Sequence, residues 1–227
     1  MLTRLLIAVN VLAYLWQTAT GDVNNAEALI AQGALFGPAV AAGEWWRIVT
    51  GEFLHGGWLH IATNMIALYQ VGTFVEMLYG SRRMALIYAV SIAGSGAVVL
   101  LFNFNVPTVG ASGAIFGLFG ALLAAGLRLG KPGRQLVQQS SMIIVLNLGL
   151  GLTVFRGIVS NAGHLGGLAA GFLAGALLFM GARYAAATAP PPVAEPVETD
   201  GGIYEPPEYV ESAGEQPPRA PVHDPGQ

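Results

Sequence analysis

Six long apolar segments, separated by more polar ones, occupy most of the first 183 residues of the chain. Each approaches the roughly 20 residues that a helix needs to cross the hydrocarbon core of a bilayer. Their approximate bounds are 3–19, 58–79, 84–103, 111–128, 135–155 and 163–182. The pattern therefore predicts an all-α membrane protein, built as a bundle of six transmembrane helices.

The first of these segments has an alternative interpretation. Arg4 precedes its apolar residues and the small sequence "TAT" follows them at residues 18–20, as in a cleaved secretory signal. The segment is long for a signal sequence, and this favours a retained span.

The composition is that of a membrane protein, and it excludes several kinds of functional site. Only 10% of the residues are charged, against roughly 25% in soluble domains, and the mean hydropathy is +0.58. The absence of cysteine excludes disulfides, thiolate metal sites and cysteine nucleophiles. No basic run indicates nucleic acid, and we predict neither a metal nor a cofactor.

Positive charges favour one side of the predicted bundle. Six crossings place Arg47 and Arg156 on one side. The other side receives Arg4, Arg82, Arg83, Arg128, Lys131, Arg134, Arg183 and Arg219. By the positive-inside rule both termini are cytoplasmic, and the loops 20–57, 104–110 and 156–162 face outward.

The chain changes character after the sixth segment. Residues 184–227 are rich in Pro, Glu and Gly, and such a sequence buries too little apolar surface to offset the entropy of ordering. We predict a membrane domain at residues 1–183, followed by a disordered cytoplasmic tail at 184–227.

The polar residues of three spans lie near the same, outer end. Ser112, in "VGASGAIFG", begins the fourth span, and His164, in "NAGHLGG", begins the sixth. His55, His60 and Asn64, in "HGGWLHIATN", lie at or just inside the outer end of the second. Ionisable residues are rare within membranes and usually indicate a functional site.

Small residues indicate that the fourth and sixth spans pack closely. They recur every four residues as Gly163, Gly167, Gly171 and Gly175 on one span and as Gly113, Gly117, Ala121 and Ala125 on the other. Such ridges let two backbones approach, although many serve packing alone. Ser112 and His164 each adjoin the first glycine of a ridge, so we predict the hydroxyl–imidazole pair that nucleophilic catalysis needs.

The second span supplies groups suited to an oxyanion. His60 and Asn64 are four residues apart, hence on one helical face, and both can donate hydrogen bonds. The Ser112 N–H is unpaired at a helix start, and Gly110 and Gly113 leave room for a substrate backbone. The alternative for Asn64 is a hydrogen bond between helices.

Together these motifs resemble the rhomboid intramembrane serine proteases. The resemblance rests on "GASG" in the fourth span, "GHLGG" with Gly171 in the sixth and "HGGWLHIATN" in the second. "EWWR" at residues 44–47 resembles the Trp-Arg motif of the family's first outer loop. The match covers about residues 1–183 in order and spacing, and a six-span core is the family's minimal bacterial-type form.

The resemblance implies a serine endopeptidase with a Ser–His dyad. Ser112 would attack peptide bonds in or near the transmembrane helices of single-span or multi-span membrane proteins. His164 would act as the base, with His60, Asn64 and the Ser112 N–H holding the oxyanion. No carboxylate in the spans lies at this depth, since Glu76 is near the cytoplasmic end.

The resemblance also implies supporting roles. Phe116 stands where the family carries an aromatic residue, often tyrosine, packed against the catalytic histidine. His55 either braces the outer loop or contacts substrate, and the bracing role is favoured. Trp46 and Arg47 either set the first loop or anchor it at the membrane interface.

Two other functions are alternatives to proteolysis. A catalytically inactive relative that binds client helices would typically lack the serine or the histidine, and this chain has both. A transporter should carry polar groups through the whole depth of the membrane, often with internal repeats. Here the polar groups stop at the outer third, and the sequence carries no signal for an oligomeric state.

Overall fold

The six predicted spans are present as helices. The computed structural model describes residues 1–153, 160–180, 198–199 and 202–203. Within these residues six helices are long and apolar enough to cross a membrane. They are α1 (Leu2–Thr20), the composite span α5–α6 (Trp58–Tyr79), α7 (Ser81–Phe102), α8 (Ser112–Leu129), α9 (Arg134–Leu152) and α10 (Asn161–Leu178). The predicted bounds agree to within a few residues.

The first loop, between the first and second spans, contains more structure than the sequence predicted. It holds α2 (Ala26–Gln32), α3 (Gly37–Ala41), α4 (Arg47–Thr50) and a 3₁₀ turn, Gly51–Phe53. Asn25 caps α2 by accepting the Ala28 N–H, and Gly33 ends it at φ 108°, a conformation that favours glycine. This folded loop leads directly into the second span.

The second span is interrupted by a π-helical turn. It consists of α5 (Trp58–Ala67), the π turn Leu68–Gly72 and α6 (Thr73–Tyr79). Gly72 lies against α1, where a Cβ would stand 2.9 Å from Cγ2 of Thr3. The local widening of the helix therefore occurs where α1 crosses it.

The helix that begins at Ser112 lies at the centre of the bundle. In α8, 72% of an 18-residue apolar stretch is buried inside the protein, whereas the corresponding share is 17% in α1 and in α9. Leu118, Ala121 and Ala125 on α8 are fully buried in the main apolar cluster. Ser112 is thus carried by the most enclosed span.

The predicted close packing of α8 and α10 is confirmed. A Cβ on Gly167 would collide with the Gly113 carbonyl, and one on Gly171 with the Gly117 carbonyl. Farther down, a Cβ on Gly175 would stand 2.5 Å from the Ala121 Cα. Only glycine at positions 167 and 171 allows the two backbones to approach this closely.

Helix α7 completes this tight packing, which the sequence did not reveal. A Cβ on Gly113 would collide with the Ser95 side chain, and one on Gly117 with the Ser91 side chain. Both serines are buried on α7. The start of α8 is therefore enclosed by α10 on one side and α7 on another.

Little of the C-terminal tail is described. The first compact unit covers Met1–Ala189 and the second Pro190–Gln227. In the second unit the described residues form strands β1 (Glu198–Thr199) and β2 (Gly202–Ile203), which pair antiparallel. The remaining tail residues, with Arg156, Arg183 and Arg219, lie outside the described residues, and the disordered tail stays a prediction.

Candidate active site

Ser112 and His164 are in hydrogen-bond contact. The Ser112 Oγ lies 2.9 Å from the His164 Nε2, as the glycine ridges predicted. Ser112 is half-buried, whereas His164 is buried and its Nδ1 has no hydrogen-bond partner among the described residues. With the proton on Nδ1, the hydroxyl donates to Nε2, the arrangement that a general base requires.

Residues just before α8 and α10 help to define where these two helices begin. The Ser160 hydroxyl accepts the Gly163 N–H and caps α10, which places His164 in its first turns. Gly110 precedes α8 at φ 122°, a backbone conformation that residues with a side chain rarely adopt. The chain can therefore turn sharply into the helix just before Ser112.

Phe116 stacks on the imidazole of His164. The ring centroids are 4.0 Å apart and the planes are inclined by 6°. Phe116 lies one helical turn after Ser112, so α8 presents both the hydroxyl and the surface against which the imidazole rests. The stacking that the resemblance implied is present.

His60 and Asn64 converge on Gly110. A Cβ on Gly110 would stand 2.7 Å from the His60 Nε2 and 3.7 Å from the Asn64 Nδ2. The Asn64 Nδ2 is buried and has no partner among the described residues. The Gly56 N–H donates to the His60 Nδ1 at 3.4 Å, which leaves the proton of a neutral ring on Nε2. Both groups therefore present donors around Gly110, two residues before Ser112.

His55 contacts α1 through its backbone. Its N–H donates to the Gln17 Oε1 at 2.8 Å, which ties the loop to α1. Its ring is fully buried and meets the His60 ring edge-on, with centroids 5.1 Å apart. Burial lowers the pKa of His55 to about 3, so the ring is neutral. The bracing role of His55 stays a prediction.

Arg47 holds the first loop together. Its Nη1 donates to the carbonyls of Ile30 at 2.6 Å and Ala34 at 3.1 Å. Its guanidinium also pairs with Glu44 at 2.7 Å and lies 4.8 Å from the centre of the Trp46 ring. These contacts fix the Arg47 side chain within the loop, while Trp46 remains 41% exposed; the roles of both residues stay predictions.

The first loop in turn holds the segment that enters α8. Leu35 and Thr108 exchange two backbone hydrogen bonds, of 3.0 and 2.8 Å. The Gly110 N–H donates to the Gly51 carbonyl at 2.9 Å. The loop therefore positions Gly110 and the start of α8.

One buried carboxylate near the site was missed by the sequence reasoning, which considered only the spans. Glu52, in the 3₁₀ turn of the first loop, accepts the Ala114 N–H in the first turn of α8 at 3.2 Å. A signal was available, because Glu52 is a lone acid beside the apolar Phe53 and Leu54. Glu76 lies far from the site, as predicted, and accepts the N–H groups of Leu2 and Thr3.

Comparison with known proteins identifies the family. A family model described as "Rhomboid domain" matches residues 42–181. The chain belongs to the rhomboid family. With its six apolar helices, it is a multi-pass membrane protein. The matched range contains both Ser112 and His164.

Several curated rhomboid relatives are similar in sequence. Rhomboid protease GluP of Bacillus subtilis (strain 168) is 44% identical over 178 residues, which cover 78% of this chain and 34% of the relative. RHOMBOID-like protein 5 of Arabidopsis thaliana is 37% identical, over 67% of this chain and 50% of the relative. RHOMBOID-like protein 4 of the same plant is 35% identical, over 64% and 37%. The chain thus spans between a third and a half of the length of these relatives.

Proposed function

We propose that this rhomboid-family protein is an intramembrane serine endopeptidase, which cleaves peptide bonds in or near the transmembrane helices of membrane proteins. The observation that carries the proposal is the 2.9 Å contact between the Ser112 Oγ and the His164 Nε2. A relative that is 44% identical is named a rhomboid protease. That name adds support for proteolysis.

The dyad acts in two stages. Ser112 Oγ bonds to the scissile carbonyl carbon while His164 Nε2 takes the hydroxyl proton. The tetrahedral intermediate then collapses: the C–N bond breaks, and His164 gives its proton to the leaving amine. A water molecule, deprotonated by His164, hydrolyses the resulting ester and restores the Ser112 hydroxyl.

The oxyanion forms beside Gly110. The His60 Nε2–H, the Asn64 Nδ2 and the Ser112 N–H donate hydrogen bonds to it, and donors fixed in advance cost no reorganisation during the reaction. The lack of a side chain at Gly110 supports this assignment, because a Cβ there would lie 2.7 Å from the His60 Nε2.

Phe116 takes over part of the orienting role that an acid plays in a catalytic triad. The His164 Nδ1 has no carboxylate partner among the described residues. The stacked ring of Phe116 fixes the plane of the imidazole instead, so that Nε2 points at Ser112. Phe116 thus positions the base without exchanging protons.

The site opens toward the outer face of the membrane. Ser112 and His164 lie near the starts of α8 and α10, which run in the same direction through the bundle. The excess of arginine and lysine at the opposite ends supports a cytoplasmic location for those ends and for both termini. Single-span or multi-span membrane proteins would present their scissile bonds from the surrounding bilayer.

Cleavage mapping tests this proposal. The purified protein is incubated in detergent with single-span substrates, and the products are mapped by mass spectrometry. We expect cleavage by the wild type, none by Ser112→Ala, and unchanged cleavage by Ser141→Ala, a control for loss of a hydroxyl on α9. Wild-type cleavage by a folded Ser112→Ala protein would refute the proposal.

A further inference from the structure

Glu52 occupies an unusual place for a carboxyl group. It comes from the first outer loop, is only 6% exposed, and lies against the first turn of α8. Its Oε2 accepts the Ala114 N–H at 3.2 Å, and its Oε1 would stand 2.8 Å from a Cβ on Gly113. The proposed mechanism makes no use of this group.

The start of α8 needs such an acceptor. The first N–H groups of a helix have no partner within the helix, and Ala111, at the cap position, offers no side-chain oxygen. Glu52 supplies an acceptor from 62 residues away in sequence.

Glu52 links α8 to the neighbouring helices as well. Its carboxyl group lies beside the Ser95 side chain of α7, because a Cβ on Gly113 would both collide with the Ser95 Oγ and stand 2.8 Å from the Glu52 Oε1. The Ser95 Oγ in turn lies 3.1 Å from where a Cβ on Gly163 would stand, next to His164 on α10. The pair of Glu52 and Ser95 therefore lies between the turns that carry the hydroxyl and the imidazole.

We propose that Glu52 is a positioning residue, which anchors the first turn of α8 through the Ala114 N–H beside Ser95 and so holds Ser112 within reach of His164. This inference rests on the proposed dyad. Glu52 does not touch the reacting atoms. Its effect comes from the position of a backbone turn, where an error of about 1 Å costs roughly 10²-fold in rate.

Two substitutions separate anchoring from simple packing. Glu52→Gln keeps an acceptor for the Ala114 N–H and a polar group beside Ser95, whereas Glu52→Met fills a similar volume without either. We expect Glu52→Met to lower kcat by about 10- to 100-fold with KM changed less than about twofold. Glu52→Gln should restore kcat to within about threefold of the wild type. Glu27→Gln, at an exposed site on α2 of the same loop, is the matched control.

Hydrogen exchange gives a readout independent of cleavage. We expect the Ala114 amide to exchange faster in Glu52→Met than in the wild type or Glu52→Gln. Unchanged exchange in Glu52→Met, or wild-type kcat in that folded variant, would overturn the positioning role. Faster exchange in a protein whose wild type shows no Ser112-dependent cleavage would support the anchor and refute the proposed protease function instead.

Discussion

Replacing Gly167 by alanine should inactivate the protein although Gly167 takes no part in the chemistry. The added Cβ would collide with the Gly113 carbonyl oxygen and stand 2.7 Å from the carbonyl carbon. Carbon atoms pack at about 3.5 Å, so the two helices must separate by about 0.8 Å. Since Ser112 adjoins Gly113, the 2.9 Å contact with His164 would exceed the roughly 3.2 Å limit of a useful hydrogen bond.

The expected loss is large and can be measured cleanly. A displacement of this size costs on the order of 10²-fold in kcat. Cleavage of a transmembrane substrate and the thermal midpoint would be measured on the same preparation, to separate misalignment from unfolding. Gly149→Ala is the matched control, because a Cβ there meets nothing within 4 Å. Wild-type cleavage by a stably folded Gly167→Ala protein would show that the ridges do not align the dyad.

Three further predictions follow from the site, the buried carboxyl group and the topology. Asn64→Ala should lower kcat by up to about 10²-fold with little change in KM, since remaining donors share the oxyanion; unchanged steady-state kinetics would make Asn64 a packing residue. Burial raises the pKa of Glu52 from 4.5 to about 7, so stability is lost as the pH rises through this window, by on the order of 3 kcal/mol. The thermal midpoint of the wild type should therefore fall relative to that of Glu52→Gln between pH 4.5 and 7, and a constant difference between the two would contradict a raised pKa. For the topology, cysteine introduced at Asn105 should react with an impermeant maleimide outside intact cells and cysteine at Gly130 should not; the reverse pattern would invert the proposed orientation.

The sequence predicted the spans and the meeting of Ser112 with His164 for physical reasons. Membrane-spanning helices must be long and apolar, which is a strong local signal. The glycines at every fourth position, such as Gly167 and Gly171, carry information about a distant partner, because a ridge without side chains is needed only where another backbone approaches. Few other contacts between distant residues produce a recognisable pattern in the sequence.

The features that escaped prediction depend on contacts between distant parts of the chain. Glu52 reaches Ala114 across 62 residues, and no periodicity encodes that contact. The π turn Leu68–Gly72 lies inside the segment Trp58–Tyr79, whose average hydropathy shows only one continuous span. In the first loop, Arg47 donates hydrogen bonds to the Ile30 and Ala34 carbonyls, and no local pattern around Arg47 encodes these contacts.

Labelling with a fluorophosphonate probe tests the central claim, that His164 activates Ser112, most directly. The probe reacts covalently with an activated serine, and mass spectrometry identifies the modified residue. We predict rapid labelling at Ser112 in the wild type, none in Ser112→Ala, and a loss of labelling in folded His164→Ala, because an unassisted hydroxyl is a poor nucleophile. Labelling of Ser112 at the wild-type rate in the folded His164→Ala protein would contradict the dyad.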